Sequence, residues 1–504
     1  MSSKKYITTP IYYPNASLHM GHAYTNIVAD TIKRFNLLDG KDAVMSTGSD
    51  EHGQKIQSKS KEEGESPKAY VDKIVKNFVC LWEKLDISYD FFNRTTSSNH
   101  EEFVGNIFTK LQNKGYIYSG TYIGYYCVSC ETHYSEEKYL ENDKKCSNCG
   151  KDLKRIEEES YFLKVSEFND WVKEYLEKSI DITPENRKKE LINNFLNEGL
   201  RDLSISRTSV EWGIPVPNSK ESTIYVWFDA LLNYLSGIQY DIEKKTAKYW
   251  DSDTNIVHIL GKEITRFHCV YFPIILKMLG ARLPDKFIAH GWLITEKGKM
   301  SKSLGNIIDP ISVIQEYGSD PLRFYFSNNI RFNEDSKFSI DLLKESYNTN
   351  LVNLYGNTVS RTFKMIQNLY DGKVPKYYES LVIHSEFKKD IDELFSSYLE
   401  NFRNDDSIEA TKKIIELLRK TSKYIDESKP WTFKEKSNEI STILNLCFQA
   451  TYLASTMLMP ITTRGSQKYF NALDVKTPSL FSDIPLSFDN IQIIDKINLY
   501  DRKK

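Results

Sequence analysis

The chain has 504 residues, of which 40% are hydrophobic and 27% charged, with a formal net charge of −2. That length is more than one core fills, so three or four compact units are expected, and the balance excludes a disordered or fibrous chain. With no overall basic field, any contact with nucleic acid has to come from local patches.

The N-terminal stretch MSSKKYITTP has no apolar leader segment and reads at once as a β-strand over residues 5–9, so no secretory signal is expected. Helical periodicity follows over 23–38 and stops at Gly40; DAVMSTGSD (42–50) is then a second apolar strand running into a turn. Strand, turn, helix, strand opens an α/β unit with a parallel sheet, whose ligands bind at the carboxyl ends of the strands. His19, His22 and Asp50 all fall at that edge. Within YYPNASLHMGH (12–22) the two histidines flank Met20 and Gly21 directly before the helix. They suit a metal pair, a phosphate-binding corner, or no task at all.

Between 120 and 222 the texture changes to short strands, a basic helical stretch (186–196) and clustered cysteines, which reads as an insertion. CVSC (127–130) and CSNC (146–149) form two C-x2-C turns fifteen residues apart. Cys127, Cys130, Cys146 and Cys149 can close a tetrahedral zinc site; with four sulfurs and no open position it would be structural, not catalytic. Cys80, Cys269 and Cys447 stand alone in apolar contexts and read as core filling, in keeping with a reducing cytoplasm.

The α/β pattern resumes with TIYVWFDALLNYL (223–235), IVHILGKEI (256–264) and KFIAHGWLI (286–294). GKMSKSLGN (298–306) then places Lys299 and Lys302 on a short polar loop, where two ammonium groups suit a polyphosphate. After about residue 340 strand signals fade and helical spacing takes over, predicting a helix bundle. Its most apolar run (443–459) is broken by Asn445, Gln449 and three hydroxyl residues, so it reads as a buried helix and not a membrane span.

HMGH near residue 20 and KMSKS near residue 300 on one α/β chain together resemble the class I aminoacyl-tRNA synthetases. Finer similarity, to the methionyl-tRNA synthetase family, lies in TPIYYPNASLHMGHAYT (9–25), GSDEHGQKI (48–56), SISR (204–207), YVWFDALLNY (225–234), ILGKEITRFH (259–268), AHGWL (289–293) and GSDPLRFYF (318–326). NTVSR (357–361) and ESKPW (427–431) extend it into the helical third. The resemblance implies a Rossmann-like parallel-sheet catalytic domain with a zinc-knuckle insertion, followed by an all-α helix-bundle anticodon-binding domain. The expected boundaries are 1–119 and 223–295 for the two catalytic halves, 120–222 for the insertion, 296–345 for the lysine loop and stem-contact region, and 346–504 for the bundle.

It also implies the activity: ATP and L-methionine give methionyl-adenylate, and methionine then passes to the 3′ adenosine of elongator and initiator methionine tRNA. His19, Gly21, His22, Glu263, His290, Gly291 and Lys302 would hold ATP with its Mg2+, and His19, His22, Lys299 and Lys302 would be catalytic. Ile11 (through its backbone), Tyr13, Asp50, Trp227, Ala230, Tyr234 and His268 would enclose methionine; Asn357, Arg361 and Trp431 would meet the CAU anticodon. Arg207 matches a position near the active site. Leu231 stands where some relatives carry proline and Glu263 where many carry aspartate, departures that touch the pocket wall and the ribose contacts. A cytoplasmic monomer without membrane contact is expected. The competing readings are a class I synthetase for another amino acid, a catalytically silent RNA-binding paralogue, and a zinc hydrolase built on His19 and His22. The length leaves no room for a large editing domain, the motif residues are intact, and further metal ligands near the histidines are lacking.

Overall fold

The computed structural model describes residues 3–503 except 16, 129, 130, 148, 220, 297 and 300–307; at 299 and 382 it describes the backbone alone. Its centre is a six-stranded, wholly parallel sheet. The strands are β1 (Lys4–Tyr12), β2 (Asp42–Ser49), β3 (Phe91–Arg94), β4 (Asp181–Thr183), β5 (Thr254–Gly261) and β6 (Lys286–His290), in the order β3-β2-β1-β5-β6-β4. Neighbouring residues face opposite ways: Tyr6, Val44, Ile256 and Phe287 join one core, while Ile7, Met45, Val257 and Ile288 join another. With both faces covered, the strands have to be apolar throughout, as their sequences are.

Strand order reverses between β1 and β5, and their carboxyl ends diverge into a crevice. Helix α1 (Met20–Leu38) leaves the end of β1, and α2 (Gln54–Glu62) follows β2. The helix starts at Met20 and not at 23, because a side-chain cap at His19 secures its first turn.

The insertion is built on a four-stranded antiparallel sheet from Ile117–Cys127, Thr132–Tyr134, Lys154–Leu163 and Leu203–Ser204. It does not stay separate: β4, inside the 120–222 interval, pairs with β6 at the edge of the parallel sheet. The stretch 223–235, expected to resume the α/β pattern, contributes only Thr223–Ile224 to a two-stranded antiparallel pair before turning helical; the parallel sheet resumes at Thr254.

From Ile340 on the described chain is mainly helical. The apolar run lies in the helix Asn438–Leu458, nearly all of it buried inside the bundle. No helix among the described residues is long and apolar enough to cross a membrane. One continuous apolar core runs from the sheet through α1 into this bundle, and Phe35 of α1 stacks on Phe402 at 4.5 Å. Ion pairs Lys5–Asp405 and Arg403–Asp39 close the same junction.

The deepest polar link is Asp30 of α1 with Arg323 of α3 (Ser319–Asn328), both side chains 0% exposed and 2.6 Å apart. Arg323 also donates from Nε to the Ile461 carbonyl and from Nη2 to the Pro460 carbonyl, each at 2.8 Å, and from Nη1 to the Leu85 carbonyl at 3.2 Å. Burial works against the Asp30 charge, but Arg323 and Arg34 outweigh it and hold the carboxyl below the ordinary range. Removing one partner of such a buried pair costs about 3–5 kcal/mol, because the other is left uncompensated. Arg323→Met is therefore expected to lower the unfolding free energy by about that amount in chemical denaturation, against less than about 1 kcal/mol for Arg403→Met at the exposed pair.

Candidate functional site

The histidines after β1 form a reciprocal cap. The Gly21 N–H donates to His19 Nδ1 and the His19 N–H donates to His22 Nδ1, both at 3.0 Å. This is the capping-box arrangement, H-x-x-H taking the place of a hydroxyl and a carboxylate. Because each Nδ1 accepts, each ring proton resides on Nε2, so both imidazoles present an N–H donor beyond the helix start. The rings lie 3.9 Å apart, and burial together with His19 pushes the His22 pKa well below its ordinary value. Gly21 is needed here: a Cβ would stand 2.9 Å from His19 Cε1. Two donors above the positive end of a helix suit an anion; among the described residues no metal-ligand group includes them.

Both histidines line a cavity of about 600 Å³ in the crevice, and so do all the residues expected to hold methionine: Ile11, Tyr13, Asp50, Trp227, Ala230, Tyr234 and His268. Gly21, Glu263, His290 and Gly291, expected at ATP, line it as well. Trp227 stacks on Phe267 with centroids 3.7 Å apart and planes 2° from parallel, a flat apolar wall. The Tyr234 hydroxyl is 2.7 Å from His268 Nε2, while His268 Nδ1 lies 3.0 Å from the Ile264 carbonyl. Burial lowers the His268 pKa to about 4, so this ring is neutral. Leu231 lines the cavity and is buried.

Asp50 carries the electrostatics. Its Oδ1 is buried and has no hydrogen-bond partner among the described residues. Burial, then Asp229 and Glu131, push its carboxyl well above the ordinary range. An unmatched buried carboxylate oxygen on a cavity wall calls for a cation. Behind it lies a network the sequence did not reveal. Asp229 is held between His52 Nδ1 at 2.7 Å and His100 Nε2 at 2.6 Å. Despite burial, Asp229 raises the His52 pKa to about 10, so an imidazolium sits behind the pocket. Residues 52, 100 and 229 share no local spacing, and only the fold brings them together.

At the other end, the Trp292 indole donates to Glu263 Oε2 at 2.8 Å. His290 Nε2 lies 2.8 Å from the Thr25 hydroxyl, which ties the end of β6 to α1. The backbone of Gly298–Lys299 pairs with the strand Leu293–Thr295. The Lys299 side chain and all of Lys302 fall outside the described residues. Arg207 does not line this cavity: it ion-pairs with Glu158 and stacks over Tyr126 at 4.0 Å.

In the insertion, the sulfurs of Cys127, Cys146 and Cys149 lie within 4.8 Å of one another, a spacing a soft metal ion accepts. Cys130 falls outside the described residues. Far along the chain, Asn357 opens the helix Asn357–Tyr370 and is exposed, with Arg361 one turn later. The Arg361 guanidinium lies 5.8 Å from the Trp431 ring and pairs with Asp426 at 2.6 Å. Trp431 is 55% exposed, so its indole is not a core side chain.

A family model described as "tRNA synthetases class I (M)" matches residues 5–363. The methionine–tRNA ligase of Mycoplasmopsis pulmonis is 40% identical over 514 aligned residues, covering 100% of both chains. That of Ureaplasma parvum is 43% identical, covering 94% of this chain and 92% of its own. The structure of Mycobacterium tuberculosis methionyl-tRNA synthetase in complex with methionyl-adenylate superposes with a TM-score of 0.92 at 31% identity, covering 100% of both chains.

An ammonium group entering beside Asp50 favours the ionised carboxylate, so the pKa raised in the free protein falls on binding. Such a ligand is expected to release a proton between the free and bound pKa values and to bind more tightly as pH rises through the free value. Titration calorimetry in buffers of different ionisation enthalpy reads this release, and Asp50→Asn should abolish it.

Proposed function

This chain belongs to the methionyl-tRNA synthetases of class I, and from that premise we propose how its own residues carry out the reaction. It is a methionine–tRNA ligase: methionine and ATP give methionyl-adenylate and pyrophosphate, and methionine then passes to tRNA. The observation that supports the residue assignments is one cavity, lined by the methionine set and by the described members of the ATP set.

Asp50 pairs with the methionine ammonium group, Tyr13 and Trp227 enclose the thioether, and the Tyr234–His268 pair closes the far wall. A methionine carboxylate is already ionised at neutral pH, so no general base is required. One of its oxygens attacks the α-phosphorus in line; the new O–P bond forms as the α–β phosphoanhydride bond breaks and pyrophosphate leaves. The enzyme's task is alignment and charge stabilisation. His19 and His22 donate from Nε2 to phosphate oxygens, and the ammonium groups of Lys299 and Lys302 supply positive charge to the phosphates in the transition state. Glu263, His290 and Gly291 flank the nucleoside. Magnesium would accompany ATP and would supply neutralisation of the triphosphate charge, while the Trp292 indole holds the Glu263 carboxylate in place. In the second step the hydroxyl of the terminal adenosine, the 2′-OH in the manner of class I enzymes, attacks the carbonyl carbon and AMP leaves.

Asn357, Arg361 and Trp431 form the anticodon platform: an amide and a guanidinium for base edges, and an exposed indole for stacking. The cysteines would hold one structural zinc; the spacing of Cys127, Cys146 and Cys149 supports this, and Cys130, outside the described residues, would be the fourth ligand. Zinc supplies folding energy to the insertion and takes no part in bond making. The setting is the cytoplasm, which suits the buried thiols of Cys269 and Cys447, and the working unit is a monomer.

Pyrophosphate exchange measured across all twenty amino acids is expected to respond to methionine above all others; exchange driven by a different amino acid would overturn the pocket assignment. Trp431→Ala is expected to lower tRNA charging about tenfold or more, as stacking contacts do, while leaving exchange intact. Elemental analysis of desalted protein should find one zinc per chain, and Cys146→Ser should lose the metal along with thermal stability.

A further inference from the structure

Glu131 follows directly on the first cysteine turn, yet its carboxylate lies in the substrate cavity. Its Oε1 accepts from the Tyr13 hydroxyl at 2.8 Å and from the Lys55 backbone N–H at 3.3 Å. The second contact matters because the N-cap of α2 is Gly53, which has no side chain to cap the helix. Glu131 supplies the carboxyl oxygen that accepts from the first turn of the helix. The residue is held at its other end too, since the Tyr225 hydroxyl donates to the Glu131 carbonyl. Its φ of +49° lies in the left-handed region, uncommon for a non-glycine residue and tolerated where the surroundings impose it. Gly53 leaves room for the junction: a Cβ there would stand 2.6 Å from both Glu131 oxygens and 2.8 Å from the Tyr13 hydroxyl.

Three segments distant in sequence thus meet at one carboxylate: the end of β1 through Tyr13, the start of α2, and the cysteine-bearing insertion. The ammonium partner of the reading above is Asp50, so Glu131 is not needed for that charge. Its geometry fixes the Tyr13 ring. We propose that Glu131 is a positioning residue for the amino-acid site, holding Tyr13 against methionine and making the insertion one wall of the methionine pocket. This rests on the proposed assignment of that cavity to methionine.

The test is a double-mutant cycle on the full-length enzyme, read as methionine-dependent pyrophosphate exchange and as methionine binding by calorimetry. A hydrogen bond to a buried charged group corresponds to about ten- to a hundredfold in affinity. Glu131→Ala is expected to raise the KM and Kd for methionine by about that factor and the KM for ATP by less than about twofold. Tyr13→Phe should give a similar selective loss, and the double variant should be no worse than the poorer single one. Glu131→Gln, whose amide oxygen can accept from the tyrosine, should recover most of the affinity. Glu131→Asp, one methylene shorter with its charge kept, should not; this pair decides the matter even if Glu131→Ala does not fold. Additive losses, an equal rise in the KM for ATP, or wild-type methionine affinity in Glu131→Asp would overturn the inference alone. Absence of methionine-dependent exchange in the unaltered protein would overturn the functional reading and this inference with it.

Discussion

Everything at the site depends on how α1 is fixed. The helix leaves β1 at the point where strand order reverses, and its first turn is secured by two imidazoles that cap it with Nδ1. The capping bonds are thereby also the bonds that turn the Nε2 donors outward. Further along, Asp30 binds the buried Arg323 guanidinium, which clasps the carbonyls of Pro460 and Ile461 from the bundle. Held at its start and its middle, the helix keeps its imidazole donors in register with the cavity. Pre-organisation of this kind is what an enzyme needs when the substrate brings its own nucleophile.

The cavity has a second constraint: carboxyl groups crowd on and behind one of its walls. Asp50, Glu131 and Asp229 lie close enough that the latter two raise the Asp50 pKa. Each is handled differently. Asp229 is held between His52 and His100, Glu131 is bonded by the Tyr13 hydroxyl and the start of α2, and Asp50 keeps a buried oxygen without a hydrogen-bond partner among the described residues. The unmatched oxygen suits a cation, and the Trp227 ring, which lines the same cavity and is stacked on Phe267, offers an apolar surface.

What could be read from the sequence was what is encoded locally. HMGH is four consecutive residues at a helix start, which they cap, and the paired C-x2-C spacing is itself a local signal. The parallel strands β1, β2, β5 and β6 were visible as apolar runs. The three-residue β4 was not, because its pairing depends on β6 from a hundred residues away. Nor was the His52–Asp229–His100 network, nor the place of Glu131, since neither has a spacing that periodicity can detect. At Trp431 the local signal is two-sided: a Pro-Trp pair at a helix start fits either a core or a surface indole, and only the fold exposes it. Lys302 and Cys130, both prominent in the sequence, fall outside the described residues.

The uninterrupted apolar core between sheet and bundle, with Phe35 stacked on Phe402 and Lys5 joined to Asp405, bears on modularity. A helical third borrowed from a relative could not be exchanged as a cassette. Its seam would have to match α1 ring for ring and charge for charge, so a chimera that respects the chain boundary near residue 346 yet ignores this seam would expose two apolar faces in place of one.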